Sequence, residues 1–309
     1  MNIRQELAVG QYGARLLRPG HIVDVLQARA LRRQSGIDLA VQLGALTRRR
    51  FQEARTEGAR PTIIPAKNEA TDLPATLVAL ARTGNALPLV VDNCSTDETA
   101  AVAAQMGAIV IDQPAGKKMA ASKAGMQFAL HELGAREALF IDADTLVLPQ
   151  YPQAMGRRLA EIDNGRGAGV FGSSYRMFGA SRVADVVTTA TNFRDNARRE
   201  WSDTDPVPRG HTYALRFDAD GAIEANLMAL PDDLSVCAAE AGVADDVAIF
   251  RAVVAAGAVV AGSVDPDSLV ITANRIDSFG QLWAMHKGAT WEDVTSASYA
   301  QQYGGPPSA

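Results

Sequence analysis

Three places in the chain gather side chains that could do chemistry. Asp92-Asn93 closes the apolar run LPLVVD, Asp142-Ala143-Asp144 closes EALFID, and Asp245-Asp246 opens the stretch DDVAIFRAVVAAG. Two carboxylates at alternate positions at the end of a buried strand repel each other unless a cation or a hydrogen-bond donor compensates them. Mg2+ or Mn2+ typically takes one or two carboxylates and fills its shell with phosphate oxygens. The triplet at Asp142 therefore suits a nucleoside diphosphate held together with its metal. Standing alone such a triplet is a weak signal; its place at the end of a strand in an alternating fold strengthens it.

The segment DNCSTDET, Asp92 to Thr99, also has a plain structural reading. Ser95 followed three residues later by Glu98 matches a capping box, in which Ser95 accepts from first-turn amides and Glu98 reaches back. Capping covers Ser95, Asp97 and Glu98. It leaves Asp92 and Asn93, which precede the cap and are either turn residues or ligand contacts.

The elements that must position these groups follow from hydrophobic period. PTIIP, LPLVVD, AIVID and EALFID are short β-branched or apolar runs, alternating with helical patterns at Leu73–Arg82, Thr96–Met106, Lys117–Leu133 and Tyr151–Asp163. Such alternation predicts crossover units: an α/β fold with a mostly parallel sheet flanked by helices. These sheets bind ligands outside the carboxyl ends of their strands, where Pro65, Ala66 and Glu69, then Asp92 and Asn93, then Asp142 to Asp144 fall. Past Gly165 the expectations are a long helix over Ser181–Trp201, a hairpin at GHTYALRFDADG, a helix from Asp245, a strand near SLVITA and a last helix around FGQLWAMHKG.

Charge divides the chain unevenly. Residues 1–60 hold eleven arginines, no lysine and five acids, net +6, whereas the remainder is net −11. An acidic body argues against nucleic acid as the main partner. The apolar spacing of His21–Gln34 and Ile37–Gly58 predicts an N-terminal helical extension. Its arginine-rich helices could cap the sheet, meet a sister subunit in a homo-oligomer, or lie on an anionic membrane surface; scarce aromatic residues favour the first two. Cys94 and Cys237 show neither disulfide nor zinc spacing, which suits a reducing cytoplasm. No apolar run is long enough to predict a membrane span. The expected organisation is an extension over 1–59, a first half over 60–165, a second half over 166–300 and a disordered tail over 301–309.

TIIPAKNEATDLPATLVAL, VVDNCSTDET, GKKMAASKAGMQFAL and LFIDADT occur in this order between Thr62 and Thr145. Together they resemble the inverting, family 2 type of glycosyltransferase with the A-type nucleotide-sugar-binding fold. A weaker resemblance runs through RGHTYALR and ADDVAIF to about Gly288. The resemblance implies a metal-dependent transfer of a sugar from a nucleoside diphosphate donor, a UDP-sugar foremost, to the hydroxyl of a small or lipid-linked acceptor. It places Pro65, Ala66 and Glu69 in the nucleoside pocket with Asn93 beside them, and Asp92 on the base. A carboxylate accepting an imide N–H is the chemistry that uracil or thymine offers. Lys117 would lie near the donor phosphates at a helix N-terminus, although it could equally be a solvated lysine beside Lys118. Asp144 would ligate Mn2+ or Mg2+, and Asp142, with Ala143 beside it, would contact ribose, sugar or metal. The sequence departs from the family pattern at Ser122-Lys123, where Arg or Asn is frequent.

In the later half the resemblance makes Asp246 the general base and Asp245 its neighbour; alternatively the pair only complements a helix dipole. His211 would lie near the acceptor, and His286 would complete the metal shell or be an ordinary packed histidine. Two other functions compete. A sugar nucleotidyltransferase shares the sheet and carboxylates but wants a glycine-rich loop after the first strand, and PAKNEA has no glycine. A non-catalytic nucleotide-sugar or carbohydrate-binding protein would keep the fold but has no need of Asp92, Asp142, Asp144 and Asp246 together.

Overall fold

The computed structural model describes residues 23–24, 26–27, 30–31, 36–114, 117–172, 174–178, 212–232, 245–263, 265–268 and 270–274. Its helices are α1 (Gly36–Thr56), α2 (Leu73–Ala81), α3 (Thr99–Gln105), α4 (Lys118–Gln127), α5 (Tyr151–Ile162), α6 (Ala222–Ala229) and α7 (Asp245–Ala255). Its strands are β1 (Arg60–Ala66), β2 (Ala86–Asp92), β3 (Ile109–Asp112), β4 (Glu137–Ile141), β5 (Thr145–Val147), β6 (Ala168–Phe171), β7 (Ser174–Phe178), β8 (Thr212–Arg216), β9 (Val259–Gly262) and β10 (Val270–Asn274).

Seven strands form one sheet in the order β3-β2-β1-β4-β8-β6-β9. β1 is parallel to β2 and β4, β2 to β3, and β6 to β9, while β8 runs antiparallel between β4 and β6. The segment GHTYALRFDADG is thus not a hairpin. β8 finds its partners in strands far away in sequence, and Asp218 ends the excursion by accepting from the amides of Ala222 and Ile223 at 2.8 and 2.9 Å, which starts α6. A second sheet, β5-β10-β7, stands beside the first, with β10 antiparallel to β5 and parallel to β7.

Alternation along the strands builds two cores. Ile64, Val90, Leu139, Ile141 and Ala214 face one side and pack with Leu39 and Phe51 of α1, Leu73, Leu77 and Leu80 of α2, and Tyr151, Met155 and Leu159 of α5. Ile63, Leu89, Val91, Phe140, Tyr213 and Leu215 face the other, against Met119 and Met126 of α4, Ile223 and Leu227 of α6, and Ile249, Phe250 and Val253 of α7. The result is helix layers on both faces of a mostly parallel sheet. α2 is buried along its whole length, in keeping with its uniformly apolar LPATLVALA. α1 buries Leu39 and Phe51 against this core, and Arg48 Nε donates at 2.9 Å to the carbonyl of Gln105, the last residue of α3. For α1, therefore, capping of the sheet is what the structure contains. Among the described residues no helix is long and apolar enough to cross a membrane.

At the amino end of the central strands, Glu137 of β4 accepts from Arg60 Nε of β1 at 2.9 Å and from Arg216 Nε of β8 at 3.0 Å. Arg216 also reaches Asp163 at 3.2 Å. Burial alone would push the Glu137 carboxyl up, but the two arginines outweigh it and hold it below its ordinary range. This network ties three strands at the edge opposite the candidate site. The long helix expected over 181–201, the last helix around 279–288 and the tail over 301–309 lie outside the described residues.

Candidate functional site

The site forms where β1, β2 and β4 end side by side. Ala66 is in register with Asp92, and Asp92 with Asp112. Past the strand end the backbone stays tied: the Asn93 amide donates to Ala66 O at 2.8 Å and the Gln113 amide to Asp92 O at 2.9 Å. Pro65, Ala66, Asp92 and Asn93 are thereby brought together by the sheet itself.

The expected capping box at Ser95 and Glu98 does not form. α3 begins later, at Thr99, and its N-cap Glu98 makes no side-chain capping bond. The polar side chains of this loop turn instead to the loop that follows β1. Ser95 Oγ accepts from the Asn68 amide at 3.0 Å, Asn68 Oδ1 accepts from the Thr96 amide at 2.8 Å, and Asp97 Oδ2 accepts from the Ala70 amide at 3.1 Å. Thr99 Oγ1 accepts from the Glu69 amide at 2.8 Å and donates to Asp97 Oδ1. Asn68 and Cys94 take left-handed backbone conformations, with φ of 56° and 61°, which lets each loop fold back toward the other. The two strand-end loops are thus one cross-linked platform.

Two buried acceptors on this platform have no protein partner. Asp92 Oδ1 and Asn93 Oδ1 are shielded from solvent and make no hydrogen bond, and Asn93 is only 5% exposed. A buried unmatched oxygen costs on the order of 1–3 kcal/mol. Neither is needed to hold the turn, whose bonds are made by the backbone.

Asp142, Ala143 and Asp144 make the turn between β4 and β5. The Thr145 amide donates to Asp142 O at 3.0 Å, and Thr76 Oγ1, buried in α2, donates to Ala143 O at 2.7 Å. Lys118 Nζ, on the first residue of α4, lies 2.7 Å from Asp142 Oδ1. Lys117 is the extended N-cap of that helix and is exposed. α4 is seated closely: a Cβ added to Gly125 would lie 2.6 Å from Ile63 Cγ2 and 3.0 Å from Val91 Cγ2. Lys123 does not face this site. It is 8% exposed and donates to Leu230 O at 2.5 Å and Asp232 Oδ1 at 2.7 Å, in the turn after α6.

A divalent cation fits the donor set in kind. Asp142 and Asp144 offer hard carboxylate oxygens in one short turn, while among the described residues there is no group of three or more His, Cys, Asp or Glu able to form an all-protein cage. That suits an ion sharing its shell with a phosphate ligand rather than a buried structural ion.

Asp245 and Asp246 are the first two residues of α7. The helix is anchored by Phe250, whose ring meets Tyr213 edge-on at 5.8 Å; Tyr213 stacks on Phe140 at 4.4 Å, two residues before Asp142 on β4. The pair thus opens a helix that packs on β8, the antiparallel neighbour of the strand that delivers the Asp142 turn. His211 and His286 lie outside the described residues. Three contributors were not apparent from sequence: Lys118, Thr76 and Asn68. Their signals are slight, namely two lysines opening a helix with no first-turn acid, a threonine within an apolar helix, and an asparagine after a strand.

The family model for glycosyl transferase family 2 matches residues 62–223, more than half of the 309-residue chain. The chain belongs to glycosyl transferase family 2 and is, by family, a glycosyltransferase. Comparison with curated proteins gives no match. Among solved structures, S. aureus TarS 1-349 in complex with UDP-GlcNAc is 14% identical, with 77% of this chain and 65% of that chain covered and a TM-score of 0.46. This chain therefore spans somewhat less than two thirds of that protein's solved length. Glucosyl-3-phosphoglycerate synthase from Mycobacterium tuberculosis, in complex with Mn2+ and UDP-glucose, is 18% identical over 84% of this chain and 83% of that chain, with a TM-score of 0.41.

Proposed function

We propose that this protein moves a sugar from a nucleoside diphosphate donor, a UDP-sugar in the first instance, to an acceptor hydroxyl with inversion at the anomeric carbon. The observation that carries the reading is the pair of buried, unmatched acceptors Asp92 Oδ1 and Asn93 Oδ1 where β2 ends, on the same sheet edge as the Asp142–Asp144 turn after β4 and with β1 between them. A uracil imide N–H and ribose hydroxyls supply the donors these oxygens lack. Pro65, Ala66 and Glu69 border the nucleoside, and Lys117 at the N-terminus of α4 faces the phosphates, where helix amides and a cation both favour an anion.

Asp144, with Asp142, would hold Mg2+ or Mn2+, which when bound neutralises charge on the departing diphosphate. Asp246 takes the proton of the acceptor hydroxyl as its oxygen bonds to the anomeric carbon and the bond to the diphosphate breaks. Asp245 orients the acceptor beside it, and His211 and His286 are assigned by family resemblance to the acceptor side and the metal shell. The test is a transfer assay with UDP-sugars and a panel of sugar, glycerate and lipid-linked acceptors, with the product's anomeric configuration read by NMR. An inverted product supports the proposal; a retained configuration, or nucleotide release with no product across the panel, opposes it.

A further inference from the structure

We propose that Lys118 is an electrostatic latch on the cation site: its ammonium occupies Asp142 while the site is empty of donor and moves to the diphosphate when the donor arrives, so that cation and nucleotide bind interdependently. The inference rests on the reading of Asp142 and Asp144 as the metal-and-donor turn, and adds a role for a residue that the family resemblance leaves unassigned.

The geometry points to Lys118 as the moving partner. Asp142 sits in a turn held by the Thr145 amide at 3.0 Å and, through Ala143 O, by Thr76 Oγ1 at 2.7 Å. The Asp142 side chain is 22% exposed, whereas that of Lys118 is 51% exposed. The backbone of α4 cannot readily follow a ligand, because Met119, Ala120 and Ala121 are buried and Gly125 abuts Ile63 and Val91. The long aliphatic stem of Lys118 can swing; the helix beneath it cannot.

The charge arrangement gives the latch two stable positions. Lys117 and Lys118 stand at the N-terminus of α4, with no acid in its first turn. A helix N-terminus disfavours cations, so without an anionic ligand Lys118 is stabilised by the Asp142 carboxylate 2.7 Å away. A cation approaching alone must displace that ammonium from Asp142. A diphosphate at the same helix terminus offers Lys118 other oxygens and releases Asp142 for the metal. Coupling of this kind is reciprocal: the nucleotide tightens the metal by the same factor as the metal tightens the nucleotide.

The test is Mn2+ titration of the full chain by electron paramagnetic resonance, with and without UDP, for wild type, Lys118→Met and Lys118→Arg. Lys118→Met should bind Mn2+ about fivefold tighter than wild type in the absence of nucleotide, the scale of one partly exposed ion pair. The factor by which UDP tightens Mn2+ should shrink to match. Lys118→Arg keeps the charge and should stay near wild type. Unchanged or weaker nucleotide-free affinity in Lys118→Met would overturn the proposal, as would an equal gain in Lys118→Arg. If wild type binds none of UDP, dTDP and GDP at saturating Mn2+, the donor reading itself fails. If wild type binds nucleotide while Lys118→Met keeps the full coupling, only the latch fails.

Discussion

Asn68 Oδ1 accepts the Thr96 amide at 2.8 Å while the Asn68 amide donates to Ser95 Oγ at 3.0 Å. One residue thus clasps the loop after β1 to the loop after β2, in a backbone conformation with φ of 56° that few side chains tolerate. Asparagine is suited to both demands, since its short amide tolerates the left-handed region and reaches nearby amides. Asn68→Ala should cost about 2 kcal/mol, roughly 1 from the lost hydrogen bond and 1 from the strained backbone. Asn68→Gly should lose only about half of that. Urea unfolding of the two variants checks the difference, and both should bind nucleotide more weakly because the platform loosens.

Asp92 separates binding from stability. Its Oδ1 is buried without a partner, so Asp92→Ala removes an unsatisfied acceptor rather than a structural bond. The melting temperature should hold or rise, while UDP affinity should fall on the order of tenfold or more. A melt and a calorimetric titration on the same sample decide it; a large loss of stability would make Asp92 a structural residue.

The opposite edge of the sheet sets an acid limit to stability. Burial opposes the charge on Glu137, but Arg60 and Arg216 outweigh it and lower its folded pKa. A depressed carboxyl contributes stability that is fully present above its unfolded pKa, about 4.3, and is lost as pH falls through the lower folded value. Unfolding free energy should therefore drop below about pH 4.3. Glu137→Gln should weaken the fold at neutral pH by about 2 kcal/mol and flatten that acid limb. Denaturant midpoints taken at stepped pH measure both effects.

The ends of β1, β2 and β4 are legible in sequence because buried parallel strands read as unbroken apolar runs, and each run stops at a polar residue that cannot continue it. Helix extents are legible for the same reason in reverse: Leu73 and Tyr151 begin helices where the period changes. What sequence alone misassigns depends on distant partners. Ser95 and Glu98 have capping-box spacing, but Ser95 receives the Asn68 amide from another loop, and local pattern cannot weigh a rival so far away in sequence. Likewise β8 resembles half of a hairpin until β4 and β6 claim its two edges. The pairing of Lys118 with Asp142 joins residues whose separate types suggest a solvated lysine and a metal ligand.

For the chemical step, Asp246→Asn should leave UDP affinity within about twofold while transfer falls by ~10²-fold or more, the contribution expected of a general base. Single-turnover rates at saturating donor check this. Near-normal rates would remove Asp246 from the mechanism.

Donor binding and transfer both require a metal-assisted nucleotide diphosphate site at the Asp142–Asp144 turn. The measurement that tests it most directly is calorimetric titration of wild type and Asp144→Asn with UDP, each with and without Mn2+. Wild type should bind UDP tightly only with Mn2+, and Asp144→Asn should lose the Mn2+-dependent part while keeping weak, metal-independent binding through Asp92 and Asn93. Equal UDP affinity in wild type with and without Mn2+, or full metal dependence surviving in Asp144→Asn, would contradict it.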